Sequence, residues 1–374
     1  MSRVVEEGLS KIMIMDNVFY NPLARFNRSV GVVFIKAIGK IIGKQSLIIS
    51  DAMAATGVRG IRYYLESGSI EKVYFNDMSK YAYKCILKNL SLNHMREVSI
   101  VNSFDLERYI SLYKGILFDF VDVDPFGSVL PYLSPIFSNL KRREGFLAFT
   151  STDLMTLCGI NLEALKRKYG VSIIKTDFCH ELAIRIILKN IFSIASYYDY
   201  VIYPLLATFE NQYIRIYLRY RKSPSKIDFR NIGYIYMGER GYGYISIEDV
   251  EMLDITNVRL IGPMWLSRYI DLSFVSVMNE ISSRLFEEPK IGSEYKLVGR
   301  YLSKILIDDT SIPYIYRLSK VCKNIKIPQP PIRNVIDKLM SLGYKAYRSF
   351  LYPDGIRTNA SLDDLIKILR EIKR

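Results

Sequence analysis

Between Gln45 and Asp153 two apolar patterns alternate along the chain. Short apolar runs, SLIISD (46–51), KVYFND (72–77), VSIVNSFD (98–105), GILFDFVDVD (115–124) and GFLAFTSTD (145–153), predict strands. Between them, VRGIRYYLES (58–67), SKYAYKCILKNLSLN (79–93), LERYISLYK (106–114) and PYLSPIFSNLK (131–141) carry apolar residues at helical spacing. Such alternation predicts a parallel sheet covered by helices on both faces. A further helix, HELAIRIILKNIFSIAS (180–196), leads into YVIYPLLATF and QYIRIYLRYR, which are separated only by Glu210 and Asn211. So short a connection forces an antiparallel pair.

A mostly parallel sheet closed by an antiparallel hairpin is the α/β pattern of a class I, Rossmann-like methyltransferase domain. A plain dinucleotide-binding fold would continue with parallel strands. The segment 222–255 is polar and rich in Gly and Tyr, and reads as a small β insert. From Gly262 the texture changes to helical patterns at Ile270–Phe286 and Tyr295–Ile307. A helix, a Pro-rich break, a second helix and a hairpin follow, as in a winged helix. The expected division is therefore a catalytic domain over 1–261, with an N-terminal extension, and a smaller α+β domain over 262–374.

The 374 residues suffice for two cores, and a net charge of +14 with pI near 9.4 favours a polyanionic partner, nucleic acid before membrane. The cysteines Cys85, Cys158, Cys179 and Cys322 form no C-x-x-C pair, and His94 and His180 are the only histidines. Neither a disulfide framework nor a metal site is expected. The start, MSRVVEEGLSK, lacks the apolar segment of a signal peptide, and Lys36 and Lys40 interrupt the most apolar helix. A cytoplasmic protein without a membrane span or an obligate protein partner is expected.

Ligands of doubly wound sheets bind at the carboxyl ends of the strands. The first such strand ends at Asp51, before the loop AMAATGVRG. Gly57 and Gly60 do not complete a G-x-G-x-x-G, so a diphosphate is a poor match. A cofactor without phosphate, S-adenosyl-L-methionine, needs only a snug turn of small residues. Asp77 ends the second strand, about twenty residues beyond the loop, where an acid accepts ribose hydroxyls. Helix capping is the competing explanation for Asp77 and an equal one for Asp105 at the third strand.

The fourth strand runs into VDVDPFGSV (121–129). Taken alone, Pro and Gly beside Asp mark a turn. At this strand end they also fit methylation of an amino group on a nucleobase. Such a nitrogen is a poor nucleophile because its lone pair is delocalised into the ring. Asp124 can hold one N–H and take up the proton, Pro125 stiffens a carbonyl that holds another, and Phe126 can stack on the base.

VFYNPLARFNRSVGVVF (18–34), DAMAATGVRGIRYYLE (51–66), FNDMSKYAYKCILKNLSLN (75–93), DVDPFGS (122–128), TSTDLMTLCG (150–159), CHELAIRIIL (179–188), GPMWLSRYID (262–271) and DGIRTNAS (354–361) together resemble the tRNA guanine-26 N2-dimethyltransferase family, archaeal type, over nearly the whole chain. The resemblance implies methyl transfer from S-adenosyl-L-methionine to N2 of a tRNA guanine. It implies that Arg28 and Arg59 help form the cofactor pocket beside Asp51 and Gly57, and that Asp77 and Asp105 bind ribose and adenine. Asp124 would be the catalytic acceptor, with Pro125 and Phe126 at the base. The family usually has NRD where this chain has Asn27, Arg28 and Ser29, and many members carry a four-cysteine zinc knuckle in the insert, which here has no cysteine.

A target base inside folded tRNA must flip out, at a cost of roughly 2–4 kcal/mol that phosphate-gripping residues offset. The candidates are Arg317, Lys320, Lys323, Arg333, Lys345, Arg348 and Arg357, with Lys326 and Lys338, interleaved with Tyr344, Tyr347, Phe350 and Tyr352. Two other readings stay open: an amino-methyltransferase acting on another RNA or DNA, and a noncatalytic tRNA-binding protein.

Overall fold

The computed structural model of the protein describes residues 3–113, 118–140, 143–210, 212–254 and 256–372. The start of the expected strand at 115–124, the ends of the helices at 106–114 and 131–141, and Asn211 of the hairpin loop lie outside the described residues.

An antiparallel hairpin, β1 (Arg3–Glu7) and β2 (Ser10–Ile14), opens the fold and was not anticipated within the N-terminal extension. Helix α1 (Arg25–Ile42) is apolar along the face it buries and stops at Gly43, whose φ of 66° makes a left-handed cap. The alternating region follows as β3 (Leu47–Asp51), α2 (Val58–Ser67), β4 (Ile70–Asn76), α3 (Lys80–Leu92), β5 (Ser99–Asn102), α4 (Leu106–Leu112), β6 (Phe120–Val123), α5 (Leu130–Asn139) and β7 (Glu144–Ser151). Two short helices, α6 (Leu154–Leu157) and α7 (Leu162–Tyr169), precede α8 (Cys179–Tyr197) and the pair β8 (Tyr200–Glu210) and β9 (Tyr213–Lys222).

The seven strands lie in the order β5-β4-β3-β6-β7-β9-β8. The first five are parallel, and β8 and β9 close the sheet antiparallel. This is the class I methyltransferase architecture that the alternation predicted. The strand order reverses between β3 and β6, and the crevice opens at their carboxyl ends. All four residues of β6 are buried, so Asp122 sits inside the protein while Asp124, just beyond, reaches the surface of the crevice.

The expected insert is a three-stranded sheet in the order β11-β10-β12, from β10 (Ile232–Gly238), β11 (Gly241–Ser246) and β12 (Arg259–Trp265). The expected boundary at Gly262 falls inside β12. Helix α9 (Leu272–Phe286), capped by Asp271, packs against α1, as does α10 (Gly292–Ile305). The remainder, β13 (Tyr316–Arg317), α11 (Leu318–Asn324), α12 (Ile332–Ser341), β14 (Ala346–Arg348), β15 (Gly355–Thr358) and α13 (Leu362–Ile372), has its strands in the order β13-β15-β14. Helix, strand, two helices and a two-stranded wing is the winged-helix order. Among the described residues no helix is long and apolar enough to cross a membrane.

Candidate active site

A cavity of about 600 Å³ lies at the switch point, within the range of small-molecule sites. Its wall includes Asp51, Ala52–Thr56, Val58 and Arg59 after β3, Asn76 and Asp77 after β4, Asp105 after β5, and Asp124, Pro125 and Phe126 after β6. Four different strand ends thus converge on one space. Tyr20, Asn21 and Arg28 close it from the N-terminal side.

The loop after β3 is held by its backbone. Ala52 N–H donates to the Asp122 carbonyl and Ala54 N–H to that of Asn76, so the small residues lie flat across the sheet ends. Asp77 fixes the same loop, accepting from Ala55 N–H and Ser79 N–H at 2.9 Å each. Asp105 caps α4 through Arg108 N–H, so capping and a place in the cavity wall coexist there. Gly57 is displaced from the expected role. It has φ of 79°, is the N-cap of α2 and faces Ile86, while Thr56 and Val58 line the cavity. Its contribution is a backbone conformation that other residues adopt at a cost.

Arg28 lines the cavity with its charge neutralised. Glu7 accepts from Arg28 Nε at 2.6 Å and Nη2 at 2.5 Å, from Arg62 Nη1 at 2.9 Å and from the Tyr20 hydroxyl at 2.9 Å. Burial pushes the Glu7 carboxyl up, but Arg28 and Arg62 outweigh it and hold it down at about 2. Ser29, where the family pattern has an acid, lies 3.0 Å from Glu294 of α10, so the departure at 29 leaves Arg28 anchored through Glu7.

The chemistry of the VDVDPFGSV stretch rests on Arg59 and Arg215. Arg59 donates to Asn27 at 2.8 Å and to Asp124 Oδ2 at 2.5 Å. Arg215 of β9 sits opposite Thr150, donates to its hydroxyl at 2.7 Å, and ion-pairs with Asp122. Burial raises the Asp124 carboxyl, but the charges of Arg59 and Arg215 pull it down to about 2. Asp51 goes the other way, to about 7, because it is buried beside the Asp122 charge. Phe126 is 73% exposed and meets Phe19 edge to face, centroids 4.6 Å apart. Two aromatic faces therefore stand at the mouth above Asp124.

Four acids line the cavity, against two arginines already paired with carboxylates. Such a wall suits a cationic sulfonium and opposes a diphosphate. The sequence profile of N2,N2-dimethylguanosine tRNA methyltransferases matches residues 1–370. The chain belongs to that family. It is similar to the tRNA (guanine(26)-N(2))-dimethyltransferase of Pyrococcus abyssi, at 32% identity over 99% of both chains. A relative from Aquifex aeolicus, named for guanine 26 and guanine 27, is 27% identical, with 99% of this chain and 96% of that protein covered. The structure of Trm1 from Pyrococcus horikoshii with S-adenosyl-L-methionine superposes with a TM-score of 0.86 at 30% identity, covering all of both chains.

In this N2,N2-dimethylguanosine tRNA methyltransferase family member, the basic C-terminal residues separate into two kinds. Lys320, Lys323, Lys326, Arg333, Lys345 and Arg348 are exposed, and Arg317 is half-buried over the Tyr352 ring. Arg357 cannot serve as a phosphate contact. It is fully buried, pairs with Asp308 at 2.7 Å and is held by both oxygens of Glu181 on α8. All four residues of β15 are buried, and this arginine with them.

Sequence reasoning passed over Arg215, and over Thr150, Tyr213 and Phe19, which line the cavity. Arg215 looked like one more cation in QYIRIYLRYR, and only the register of β9 against β7 places it at Asp122. It also missed that Cys158, Cys179 and His180 converge, each offering a ligand atom within 4.8 Å of the others. The Cys179 thiol is pulled down to about 5 by the hydrogen bond from Cys158 and by His180, while Cys158 is raised.

Proposed function

We propose that this chain transfers methyl groups from S-adenosyl-L-methionine to the exocyclic N2 of guanine 26 in tRNA, giving N2-methyl- and N2,N2-dimethylguanosine. The observation that carries the chemistry is the ionised Asp124 at the cavity mouth, flanked by Pro125 and the exposed Phe126. When bound, the cofactor supplies an electrophilic methyl on a sulfonium. The loop Ala52–Thr56 with Asp77 and Asp105 would hold it, and Arg59 and Asn27 would fix the inner wall.

Asp124 accepts a hydrogen bond from the guanine amino group and orients its lone pair toward the methyl. As the N–C bond forms and the C–S bond breaks, the nitrogen becomes a strong acid, because losing a proton restores conjugation with the ring. A carboxylate with a pKa of about 2 is basic enough for that proton. Phe126, with Phe19 beside it, offers the flipped base a stacking surface. The segment from Gly262 onward, with its exposed lysines and arginines, grips the tRNA backbone.

The test is methylation of a tRNA transcript with labelled cofactor, repeated with guanine 26 replaced and with Asp124→Ala. Loss of label in both supports the assignment. Label retained without guanine 26 moves the target, and no transfer to any tRNA reopens DNA or another RNA.

A further inference from the structure

Cys158 follows α6, and Cys179 and His180 are the first two residues of α8. Their Sγ, Sγ and imidazole nitrogen lie within 4.8 Å of one another, and no carboxylate joins the cluster among the described residues. The imidazole is held in plane. Phe209 stacks on it at 3.8 Å and 15°, and Tyr352 lies parallel at 5.5 Å and 2°. With two aromatic rings lying nearly parallel to it, the nitrogens on the ring edge are what His180 can offer to a ligand. All three residues are partly exposed, so an ion has access.

Two thiolates and one imidazole form a borderline-soft donor set that selects zinc-like ions over magnesium or calcium. Tetrahedral zinc with Zn–S near 2.3 Å needs ligand atoms about 3.7 Å apart, so closure by about 1 Å suffices. We propose that Cys158, Cys179 and His180 form a zinc-class metal site.

The position gives that site a mechanical consequence. Thr152, six residues before Cys158, exchanges two hydrogen bonds with Gly127 of the Asp-Pro-Phe-Gly turn, through its N–H at 2.8 Å and its hydroxyl at 2.7 Å. Glu181, two residues after Cys179, anchors Arg357 of the winged-helix unit. His180 N–H donates to the Tyr352 hydroxyl at 3.1 Å. A metal here would staple the segment behind the base-binding turn to the start of α8 and to the C-terminal unit.

The test uses the full chain, reduced with a phosphine and kept free of oxygen, titrated with cobalt(II) as the probe. The expected result is a thiolate-to-cobalt charge-transfer band and tetrahedral visible bands at one equivalent, bleached by equimolar zinc. Cys158→Ser and Cys179→Ser each remove a sulfur and cut the charge-transfer intensity, and His180→Gln weakens cobalt binding at least about tenfold. Cys85→Ser and Cys322→Ser leave the spectrum unchanged. Absence of the band in fully reduced protein overturns the proposal, as does a band that survives the double substitution of Cys158 and Cys179. A Cys158–Cys179 disulfide whose reduced form takes up no cobalt overturns it too. The readout is spectroscopic and independent of methyl transfer, so its failure leaves the proposed reaction standing.

Discussion

Arg59 and Asp124 face each other through Nη2 and Oδ2 at 2.5 Å, and Arg59 Nε lies 3.9 Å from Asp122. One buried guanidinium thus ties the carboxylate at the cavity mouth to the acid beneath it. With its pKa at about 2 against an ordinary 3.8, Asp124 stays ionised throughout the physiological range. The depressed pKa contributes stability above about pH 4 that is lost as pH falls toward 2. Asp124 therefore adds no acid limb to kcat between pH 5 and 8. Asp124→Asn is expected to lower kcat by about 10²-fold or more with cofactor binding retained. Arg59→Gln should bring an acid limb up toward the ordinary carboxylate range. A pH–rate profile of both variants checks this, and an unchanged profile in Arg59→Gln would contradict the pairing.

Asp51 carries the opposite perturbation. Its pKa rises from 3.8 to about 7, because burial and the neighbouring Asp122 charge outweigh the Arg59 charge and the hydrogen bond from Gly60 N–H. A raised pKa means that the folded form binds the extra proton. The associated stability is present below about pH 4 and is lost as pH rises through 7. Asp51→Asn, uncharged at every pH, should flatten thermal stability between pH 4 and 7 and be the more stable form, relative to wild type, at pH 8. Melting temperatures across that range decide it.

The period of the apolar residues was enough to place the parallel strands and the hairpin, because a sheet buried on both faces demands continuous apolar runs. The crevice followed from topology, and Asp51, Arg59, Asp77, Asp105 and Asp124 all reach it. Contacts between distant segments were not legible. Arg215 reaches Asp122 only through strand register, Glu7 reaches Arg28 only because an unforeseen hairpin packs against α2 and α3, and Cys158 meets Cys179 only because α6 and α7 double back. Arg357 shows the same blindness for charge, since a basic residue in a basic segment reads as surface until its partners Glu181 and Asp308 are known.

Phe19 and Phe126 form an edge-to-face pair with both rings largely exposed, an arrangement with apolar area left for a base to cover. Phe126→Ala should weaken productive tRNA binding by about 1–3 kcal/mol, the range of one base–aromatic stack, while leaving cofactor affinity unchanged. Phe126→Tyr should retain most activity. Kinetics against tRNA, with calorimetry for the cofactor, separate these effects, and a fall in cofactor affinity alone would place Phe126 elsewhere.

The two kinds of arginine in the C-terminal unit predict opposite failures. Arg357 is fully buried between Glu181 and Asp308, so Arg357→Ala strips Asp308 of its paired cation and leaves Glu181 with Arg185. A loss of about 3–5 kcal/mol of stability is expected. Arg333 is exposed, with Asp337 3.7 Å away on the same helix, and Lys345 is exposed on the approach to the wing. Arg333→Ala and Lys345→Ala should leave the melting temperature nearly unchanged. Where either side chain touches a phosphate, its removal lowers the salt dependence of tRNA affinity by about one unit of log K against log salt. Denaturant unfolding beside binding at several salt concentrations tests both halves. A stable Arg357→Ala protein with a reduced salt slope would return that residue to the RNA surface.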